Sequence, residues 1–530
     1  MNNYLKVAVL QLECFSFENR DNCRKHIFEM ISRALIQKPD IILLPECSYP
    51  SYYLNYWNTD VETEIESIIS ELAHIAKENS IYIACGLPEV VDKREGTGSK
   101  EVFYNSIYVL DSTGNIACIG RKRFLWHFDS MWFSPGDISA AFDTKWGKIG
   151  LMICADGRMP EIVQSLKLQG CKLILNSTNW VCNGRHKETL SNPQSDYLMS
   201  VRARESGAWI AAANKVGIEE DFIVYCGNSM VVDPNGNVIK KADSCSPNIM
   251  ICNIPLDSTS GEILCHEDIF SDNCLNNQFE IIDITQNTEK KEFDDYIYIA
   301  VSQIGINKNE CKAEDIINKI NFSRTKADVV KADMLILTVD LKNVEVLKDL
   351  LSYKEFCMKI LNNLLPSKCD VLIHFNFKNV VYFDFYIKED SCNNIIELSG
   401  PTVLKADDLM IGVVNRESLL TCDLTRSMMI AGSQVVIWMC DNCDKDYANF
   451  SRARAMENRI YTVCMNGVIQ QDSNYAYNSI ICDPDGRIIA ETFDNTEQMI
   501  CTYLDIKLTE RKSVAPGTDV LKTSFDFRQI

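Results

Sequence analysis

The sequence predicts an α/β protein built from two copies of one fold. Three observations predict it. A repeat relates the first half of the chain to the second. In each half, short apolar runs typical of strands alternate with charged stretches of helix length. At 530 residues, the chain is also too long for one ordinary hydrophobic core. A duplicated domain, with helices packed on its sheets, accounts for all three.

The repeat begins at the first strand of each half. Residues 7–12 (VAVLQL) recur as residues 299–304 (IAVSQI), and a charged stretch follows both. The next strand recurs as residues 40–44 (DIILL) and 333–337 (DMLIL). These second runs are short and unbroken apolar segments, which is typical of strands covered on both faces.

The repeat continues through the middle of each half. Residues 149–170 align with residues 411–432 without a gap, and each segment predicts a strand, a turn, a helix and a further strand. Residues 202–214 (RARESGAWIAAAN) then correspond to residues 454–466 (RAMENRIYTVCMN). The order of the matches is the same in both halves, which favours duplication of a whole domain.

Each half is expected to close with a hairpin. The turn signals DPNG at 233–236 and DPDG at 483–486 lie between apolar strands. Between the halves, residues 258–294 are polar and acidic, which predicts a linker. We therefore expect domains at 1–257 and 295–530.

Composition excludes several classes of function. The net charge of -20 and the pI near 4.9 disfavour nucleic acid, because an acidic surface repels a phosphate backbone. The sequence contains no run of about eighteen apolar residues, so no membrane span is predicted. The N-terminus shows no secretion signal and the 23 cysteines are scattered, so we expect reduced thiols in the cytoplasm. Neither a metal nor an organic cofactor is expected.

Three polar groups of the first half stand at places where a simple core would have none. Glu46 follows an apolar strand and a proline that stops it. Lys122 belongs to a basic cluster, GRKRFL, in an acidic protein. Cys154 ends an apolar strand at the turn into a helix, where backbone N–H groups can lower a thiol pKa and stabilise an oxyanion. Taken singly, each has an ordinary structural interpretation as a surface charge or a core thiol.

Together, these segments resemble the nitrilase, or carbon-nitrogen hydrolase, superfamily over essentially all of the first half. The shared motifs are LPE at Glu46, RKxxL at Lys122, FxPGD at 133–137, CxDxRxPE at 154–161, NxxNW at 176–180, RAxE at 202–205 and the closing GNSMVVDPNGNV. Several ordered motifs at family-like spacing identify a family more specifically than any one of them.

The resemblance implies an αββα sandwich in each domain and a catalytic triad of Cys154, Glu46 and Lys122. Glu46 would be the general base, and Cys154 would form a thioester with the acyl group of the substrate. Lys122 and the backbone N–H of Ala155 would hold the oxyanion.

Three further residues of the first half are candidates for the site. Many family members carry an additional glutamate where this chain has Asp129, a shorter carboxylate that would orient the catalytic lysine with altered reach. Trp180 is expected to line the acyl pocket together with Asn179, although a tryptophan at a strand end is as often part of the core.

The second copy lacks the triad. Arg416 stands where the alignment requires the cysteine, and Val339 stands where it requires the glutamate. No equivalent of the lysine segment can be placed, so we expect an inactive, degenerate domain retained for packing. Family members commonly pair through their helical faces. The resemblance therefore implies an internal pseudo-dimer, an eight-layer αββα–αββα sandwich, and leaves open whether homo-oligomers form beyond it.

The expected function is cleavage of the C–N bond of a small linear carboxamide or an N-carbamoyl compound. A nitrile is a weaker expectation, because that branch resembles CWE where this chain has Cys154, Ala155 and Asp156. Two alternatives stay open. One is acyl transfer to an amine through the same thioester, and the other is a binding or scaffold protein with a sensor-like second domain.

Overall fold

The chain folds into two compact units, each with its own pair of β-sheets. The computed structural model describes residues 4–56, 59–92, 101–182, 190–256, 279–284, 295–306, 312–341, 350–377, 381–388, 395–406, 409–415, 417–439, 446–466, 478–493, 497–515 and 518–522. The first unit comprises Met1–Cys265 together with Ser513–Ile530, and the second unit comprises His266–Lys512. Duplication of an α/β fold is thereby confirmed.

The first unit contains the elements that carry the predicted site. Its strands are β1 (Tyr4–Glu13), β2 (Ile41–Leu43), β3 (Tyr82–Asp92), β4 (Glu101–Leu110), β5 (Ile116–Arg121), β6 (Ala141–Thr144), β7 (Gly147–Ile153), β8 (Leu173–Ser177), β9 (Trp209–Ala213), β10 (Lys215–Glu219), β11 (Ile223–Cys226), β12 (Met230–Val232), β13 (Val238–Lys241) and β14 (Asn248–Pro255). Its helices are α1 (Arg20–Leu35), α2 (Thr59–Asn79), α3 (Asp129–Trp132), α4 (Pro160–Leu168) and α5 (Met199–Ser206). Shorter helical turns cover Phe17–Asn19, Cys154–Arg158 and Gln194–Leu198.

These elements form four layers. One sheet has the strand order β11-β10-β1-β2-β3-β4-β5, with β14 paired to β1, and the other has the order β13-β12-β9-β8-β7-β6. Helices α1 and α2 bury their apolar faces on the first sheet, where Ile31 and Leu72 share a cluster with Ile42. Helix α4 covers the second sheet, since the Leu166 side chain lies beside Gly150 of β7. The αββα prediction is confirmed for this unit.

The second unit repeats this plan. Its strands are β15 (Glu280–Asp283), β16 (Tyr296–Gly305), β17 (Met334–Asp340), β18 (Asp370–Phe377), β19 (Val381–Ile387), β20 (Ile395–Leu398), β21 (Thr402–Ala406), β22 (Leu409–Asn415), β23 (Val435–Met439), β24 (Tyr461–Met465), β25 (Ile480–Cys482), β26 (Ile488–Glu491) and β27 (Gln498–Asp505). Its helices are α6 (Ala313–Val330), α7 (Leu350–Leu361), α8 (Glu417–Leu420), α9 (Asp423–Ile430), α10 (Tyr447–Asn458) and α11 (Lys507–Glu510). The sheets have the orders β20-β19-β18-β17-β16-β27 and β15-β21-β22-β23-β24-β25-β26.

A buried arginine demonstrates the repeat at the level of single hydrogen bonds. Arg202 and Arg454 each form an ion pair with the glutamate three residues later, at 2.6 Å and 2.7 Å. The Nε of Arg202 donates to the carbonyl of Gly157 at 2.9 Å, and the Nε of Arg454 donates to the carbonyl of Leu419 at 3.1 Å. The two carbonyls correspond in the gapless alignment of the sequence, so the alignment places equivalent atoms together.

Two features of the chain path were not expected from the sequence. Strand β15 lies inside the segment 258–294 that was predicted as a linker, and it pairs in parallel with β21. In addition, Ser513–Ile530 is grouped with the first unit, although the repeat assigns it to the end of the second copy. The domain boundaries at 1–257 and 295–530 stay predictions, as does the eight-layer pseudo-dimer.

Among the residues that the structure describes, no helix has both the length and the apolar character needed to cross a membrane. Every cysteine of these residues is a free thiol, and most are buried.

The returning C-terminal segment packs beside the turn that carries Cys154. Val520 is only 2% exposed and shares an apolar cluster with Phe124, Ala155 and Ile162. Because Ala155 directly follows the cysteine, this packing also stabilises the position of the turn.

We expect Val520→Asp to lower the free energy of unfolding of the first unit by about 2–4 kcal/mol, because it buries an unpaired carboxylate among apolar side chains. Thermal melting of the full chain measures the effect. Val329 is 75% exposed, so Val329→Asp is the matched control and should leave the melting temperature nearly unchanged. An unaltered melt for Val520→Asp would contradict the packing of this segment.

Candidate active site

The backbone of Glu46 is fixed by the neighbouring strand. Glu46 follows β2 and Pro45, and its side chain is fully buried. Gly86 of β3 lies so close that a Cβ atom there would come within 2.5 Å of the Pro45 carbonyl oxygen and 2.6 Å of the Glu46 Cα. Any larger residue at position 86 would therefore displace Glu46.

The two carboxylate oxygens of Glu46 have different surroundings. Its Oε1 accepts hydrogen bonds from Asn105 Nδ2 at 2.7 Å and from Lys122 Nζ at 2.6 Å. Its Oε2 is buried and accepts no hydrogen bond from the described residues. One oxygen is thus held in place by two hydrogen bonds, while the other has a lone pair that can accept a proton. Asn105, which sequence reasoning did not identify, is a polar residue on β4 at a fully buried position.

Lys122 is a buried cation between two carboxylates. Its Nζ lies 2.6 Å from Glu46 Oε1 and 2.6 Å from Asp129 Oδ2, and its side chain is 1% exposed. Burial acts to lower the pKa of Lys122, but the charges of Asp129 and Glu46 outweigh it and hold that pKa well above its usual range. Lys122 is therefore an ammonium at neutral pH.

Asp129 is itself held by a network at the start of α3. Its Oδ2 accepts the backbone N–H of Trp126 at 2.7 Å, and its Oδ1 accepts the hydroxyl of Tyr52 at 3.1 Å. Asp129 thus still reaches Lys122, although its side chain is shorter than the glutamate of the family pattern. Tyr52 has no sequence signal, because its partner lies 77 positions away.

Cys154 occupies the turn between β7 and α4 in a left-handed backbone conformation, with φ of 46°. Such a conformation is uncommon for a residue with a side chain and marks a constrained turn. The backbone N–H of Cys154 donates to Asn176 Oδ1 at 3.0 Å, which fixes the turn to β8. The cysteine side chain is buried, with 7% of the residue exposed.

Burial raises the pKa of the Cys154 thiol to about 12, and the charge of Glu46 raises it further. Lys122 lowers this pKa, and so do the Thr178 hydroxyl and the Asn179 backbone N–H. The sequence-based expectation that the turn lowers the thiol pKa is therefore wrong, because desolvation outweighs the positive charge and the N–H groups. The thiol is therefore protonated at neutral pH.

Asp156 connects the cysteine turn to the lysine segment. Its Oδ1 accepts the backbone N–H groups of Arg123 at 3.0 Å and Phe124 at 2.8 Å, and its Oδ2 accepts the N–H of Ile153 at 3.0 Å. Burial raises the pKa of Asp156 to about 6, although these N–H groups and Lys122 act to lower it. The CxDxR motif contains Asp156, but its position in the sequence did not indicate this connecting role.

The two predicted substrate residues after β8 differ in their surroundings. Asn179 is buried, and neither atom of its side-chain amide has a hydrogen-bond partner among the described residues. Trp180 is 1% exposed, and its backbone N–H donates to Asn214 Oδ1 at 2.8 Å. In the orientation that satisfies both neighbours, the Gln194 amide accepts the Trp180 indole N–H at 3.2 Å and donates to the Cys154 carbonyl at 2.6 Å. Trp180 is thus held by hydrogen bonds at its backbone and at its indole, whereas the Asn179 amide has no partner among the described residues. That the two residues contact a substrate stays a prediction.

The structure brings the predicted catalytic residues into one buried region of the first unit. Glu46, Lys122 and Asp129 are in direct contact, and both Glu46 and Lys122 lie close enough to Cys154 to shift the pKa of its thiol. Ala155 is buried directly after the cysteine. In the described ranges, no group of three or more His, Cys, Asp or Glu side chains is placed to hold a metal ion.

The second unit has a valine at the position that corresponds to Glu46. Strand β17 continues to Asp340, whereas β2 already ends at Leu43, so Val339 lies inside a strand and is buried in an apolar core. Arg416, the counterpart of Cys154 in the alignment, lies outside the described residues.

Comparison with known proteins relates this chain to the carbon-nitrogen hydrolase family. The sequence profile of the carbon-nitrogen hydrolase family matches residues 6–261 and 398–513. The omega-amidase NIT2 of Mus musculus is 30% identical over 247 residues, which cover 45% of this chain and 84% of that protein. A probable nitrilase of Schizosaccharomyces pombe is 29% identical over 227 residues, covering 41% of this chain and 76% of that protein.

Among solved structures, the NitN amidase from Nesterenkonia sp. AN1 aligns with a TM-score of 0.41 and 21% identity, covering 48% of this chain and 96% of that chain. The family assignment depends on the sequence profile, which matches well over half of the chain and reaches into both units. The chain therefore belongs to the carbon-nitrogen hydrolase family and is a hydrolase of non-peptide carbon–nitrogen bonds.

Proposed function

We propose that the first unit hydrolyses the C–N bond of a small linear carboxamide or an N-carbamoyl compound through a thioester on Cys154. The proposal is carried by Glu46 Oε2, which is buried and accepts no hydrogen bond from the described residues. The same carboxylate pairs with the ammonium of Lys122, and its charge acts on the Cys154 thiol. Similarity to an omega-amidase supports an amide as the substrate.

Attack on the carbonyl carbon requires removal of the thiol proton. Because the pKa of the thiol is about 12, the proposed base Glu46 takes that proton as the sulfur–carbon bond forms. The electron pair of the carbonyl bond moves to the oxygen. The ammonium of Lys122 and the backbone N–H of Ala155 stabilise the resulting oxyanion.

The intermediate then collapses to the thioester. The C–N bond breaks, and the nitrogen takes the proton held by Glu46 and departs as ammonia or an amine. Water next attacks the thioester carbon and gives a proton to Glu46. The C–S bond breaks, the acid product leaves, and Glu46 returns its proton to the sulfur.

Two further residues position this chemistry. Asp129 forms the second ion pair of the Lys122 ammonium, and Asn105 donates to Glu46 Oε1 and leaves Oε2 available. For the substrate, the free side-chain amide of Asn179 offers a donor and an acceptor, which complement the C=O and N–H of a carboxamide. Trp180 supplies a rigid apolar wall that suits a short acyl chain.

Cys154→Ala should lower ammonia release from a panel of small amides and ureido acids by about a thousandfold or more, because the thioester cannot form. Intact-mass measurement during turnover should detect an acyl adduct on the wild-type chain and none on the variant. Cys171 has a similar exposure, 6% against 7%, so Cys171→Ala is the matched control and should keep its activity.

Retained ammonia release in Cys154→Ala would contradict the assignment of the nucleophile. Adding an amine to the wild-type reaction separates hydrolysis from acyl transfer. Hydrolysis predicts that the acid remains the main product, and a dominant N-substituted amide would reverse that part of the proposal.

The raised pKa predicts an unusual pH dependence for the thiol. Since a raised pKa keeps the proton on sulfur to higher pH, Cys154 should contribute no thiolate between about pH 7 and about pH 10, whereas an ordinary cysteine titrates near 8.5. The measurement is the ultraviolet thiolate absorbance of the wild-type chain minus that of Cys154→Ala, recorded across this range. A titration step near 8.5 in the difference would show that burial does not control this thiol.

A further inference from the structure

The second unit has a buried polar cluster where the first unit has its candidate active site. In the first unit, Glu46 follows the C-terminal end of β2. The repeat equates β2 with β17, and three polar residues occupy the C-terminal parts of β17 and its parallel neighbour β18. These residues are Thr338, His374 and Asn376, and Asp384 of β19 joins them.

Strand register places the four side chains on one face of the sheet. Thr338 pairs directly with His374, and His374 pairs directly with Asp384. Asn376 lies two positions beyond His374 on the same strand and therefore faces the same side. The residues two positions before Thr338 and His374 and two positions after Asp384 belong to the core between the two sheets: Ile336, Leu372 and Tyr386. The cluster therefore lies on the side of the sheet that faces this core, beyond the last apolar residues of the core.

The histidine has one ring nitrogen engaged and one open. Its Nδ1 lies 2.7 Å from Asp384 Oδ1. A carboxylate only accepts hydrogen bonds, so Nδ1 carries a proton and donates to Asp384, and the tautomer with its single proton on Nδ1 offers Nε2 as an acceptor. That Nε2 is buried and has no hydrogen-bond partner within the described ranges.

Within the described residues, the side chains of Asn376 and Thr338 also lack hydrogen-bond partners. Both residues are fully buried, and the amide oxygen, the amide nitrogen and the threonine hydroxyl make no hydrogen bond to the described part of the chain. Buried polar atoms are nearly always paired, because leaving them unpaired in an apolar core is unfavourable. Four such atoms on one face, His374 Nε2 among them, mark a polar site whose partners the described residues do not supply.

We propose that this second-unit polar site, formed by Thr338, His374, Asn376 and Asp384, binds a small uncharged carboxamide. The carbonyl of the ligand would accept from the Asn376 amide nitrogen and from the Thr338 hydroxyl. Its NH₂ group would donate to the Asn376 amide oxygen and to His374 Nε2. A carboxylate has no donor for these acceptors and is repelled by Asp384. An ammonium has no acceptor for the Asn376 nitrogen. A carboxamide has both.

The site would bind its ligand without cleaving it. Val339 occupies the place of the base and is buried in the apolar core. The inference goes beyond the proposed function, because it gives the second unit a ligand of its own. It does not depend on which compound the first unit hydrolyses.

Histidine NMR on the full-length chain tests the proposal, since the sequence contains only six histidines. The protein carries Cys154→Ala to prevent turnover and is labelled at histidine Cε1, and His374→Gln identifies the resonance of His374. Acetamide, acetate and ethylamine are the probes, chosen for similar size and different charge. Acetamide alone should shift the His374 resonance in a saturable manner.

Asn376→Leu should abolish this shift, and Thr338→Val, which keeps shape and removes only the hydroxyl, should weaken acetamide binding about tenfold. The control Asn363→Leu changes an exposed asparagine of the same unit and should have no effect.

Three outcomes overturn the proposal: no shift with acetamide, equal shifts with acetate, or a shift that persists in both site variants because it originates elsewhere. The readout is independent of catalysis, so such a failure leaves the proposed hydrolysis, tested by ammonia release, unaffected.

Discussion

The ammonium of Lys122 is buried between the carboxylates of Glu46 and Asp129, 2.6 Å from each, and the organisation of the first unit follows from this arrangement. A charge removed from water is costly unless it is paired and hydrogen-bonded. The two carboxylates together offset that cost. Asn105 donates a hydrogen bond to Glu46, and Tyr52 donates one to Asp129. Loss of either carboxylate would leave a buried charge partly uncompensated, so the three groups stabilise one another.

The same burial that strengthens these ion pairs disfavours the charged form of the Cys154 thiol. Desolvation raises the pKa of Cys154 to about 12, so the proposed nucleophile is a neutral thiol. The proposed activation requires a base with an available lone pair, and Glu46 Oε2 offers one because Lys122 and Asn105 donate only to Oε1. Burial, charge pairing and the proposed proton transfer are thus consequences of one geometry.

The sequence alone predicted the duplication, the sandwich of the first unit and the proximity of Glu46, Lys122 and Asp129. Unbroken apolar runs and ordered motifs are local signals, so these features can be recognised without coordinates. The sequence was not sufficient for contacts between distant segments. Asn105 lies 59 positions from its partner Glu46 and has the appearance of an ordinary polar residue in a strand. The return of Val520 to the first unit has no local signal either. The thiol pKa was mispredicted because the turn geometry is visible in the sequence, whereas the degree of burial is not.

The second unit shows which part of the fold is kept where the counterpart of Glu46 is a valine. The buried arginine–glutamate pair and its bond to the backbone are nearly unchanged, whereas the base position is a valine inside a longer strand. The packing contact is therefore kept where the carboxylate is not.

The proposed mechanism depends on Glu46 acting as the base for a protonated thiol. The decisive experiment is a rapid-quench measurement of Cys154 acylation by a small amide, with wild type compared with Glu46→Gln. We expect the variant to lose acylation rate by about 10²–10⁴-fold while the fold stays intact. An unchanged rate would show that Glu46 is not the base.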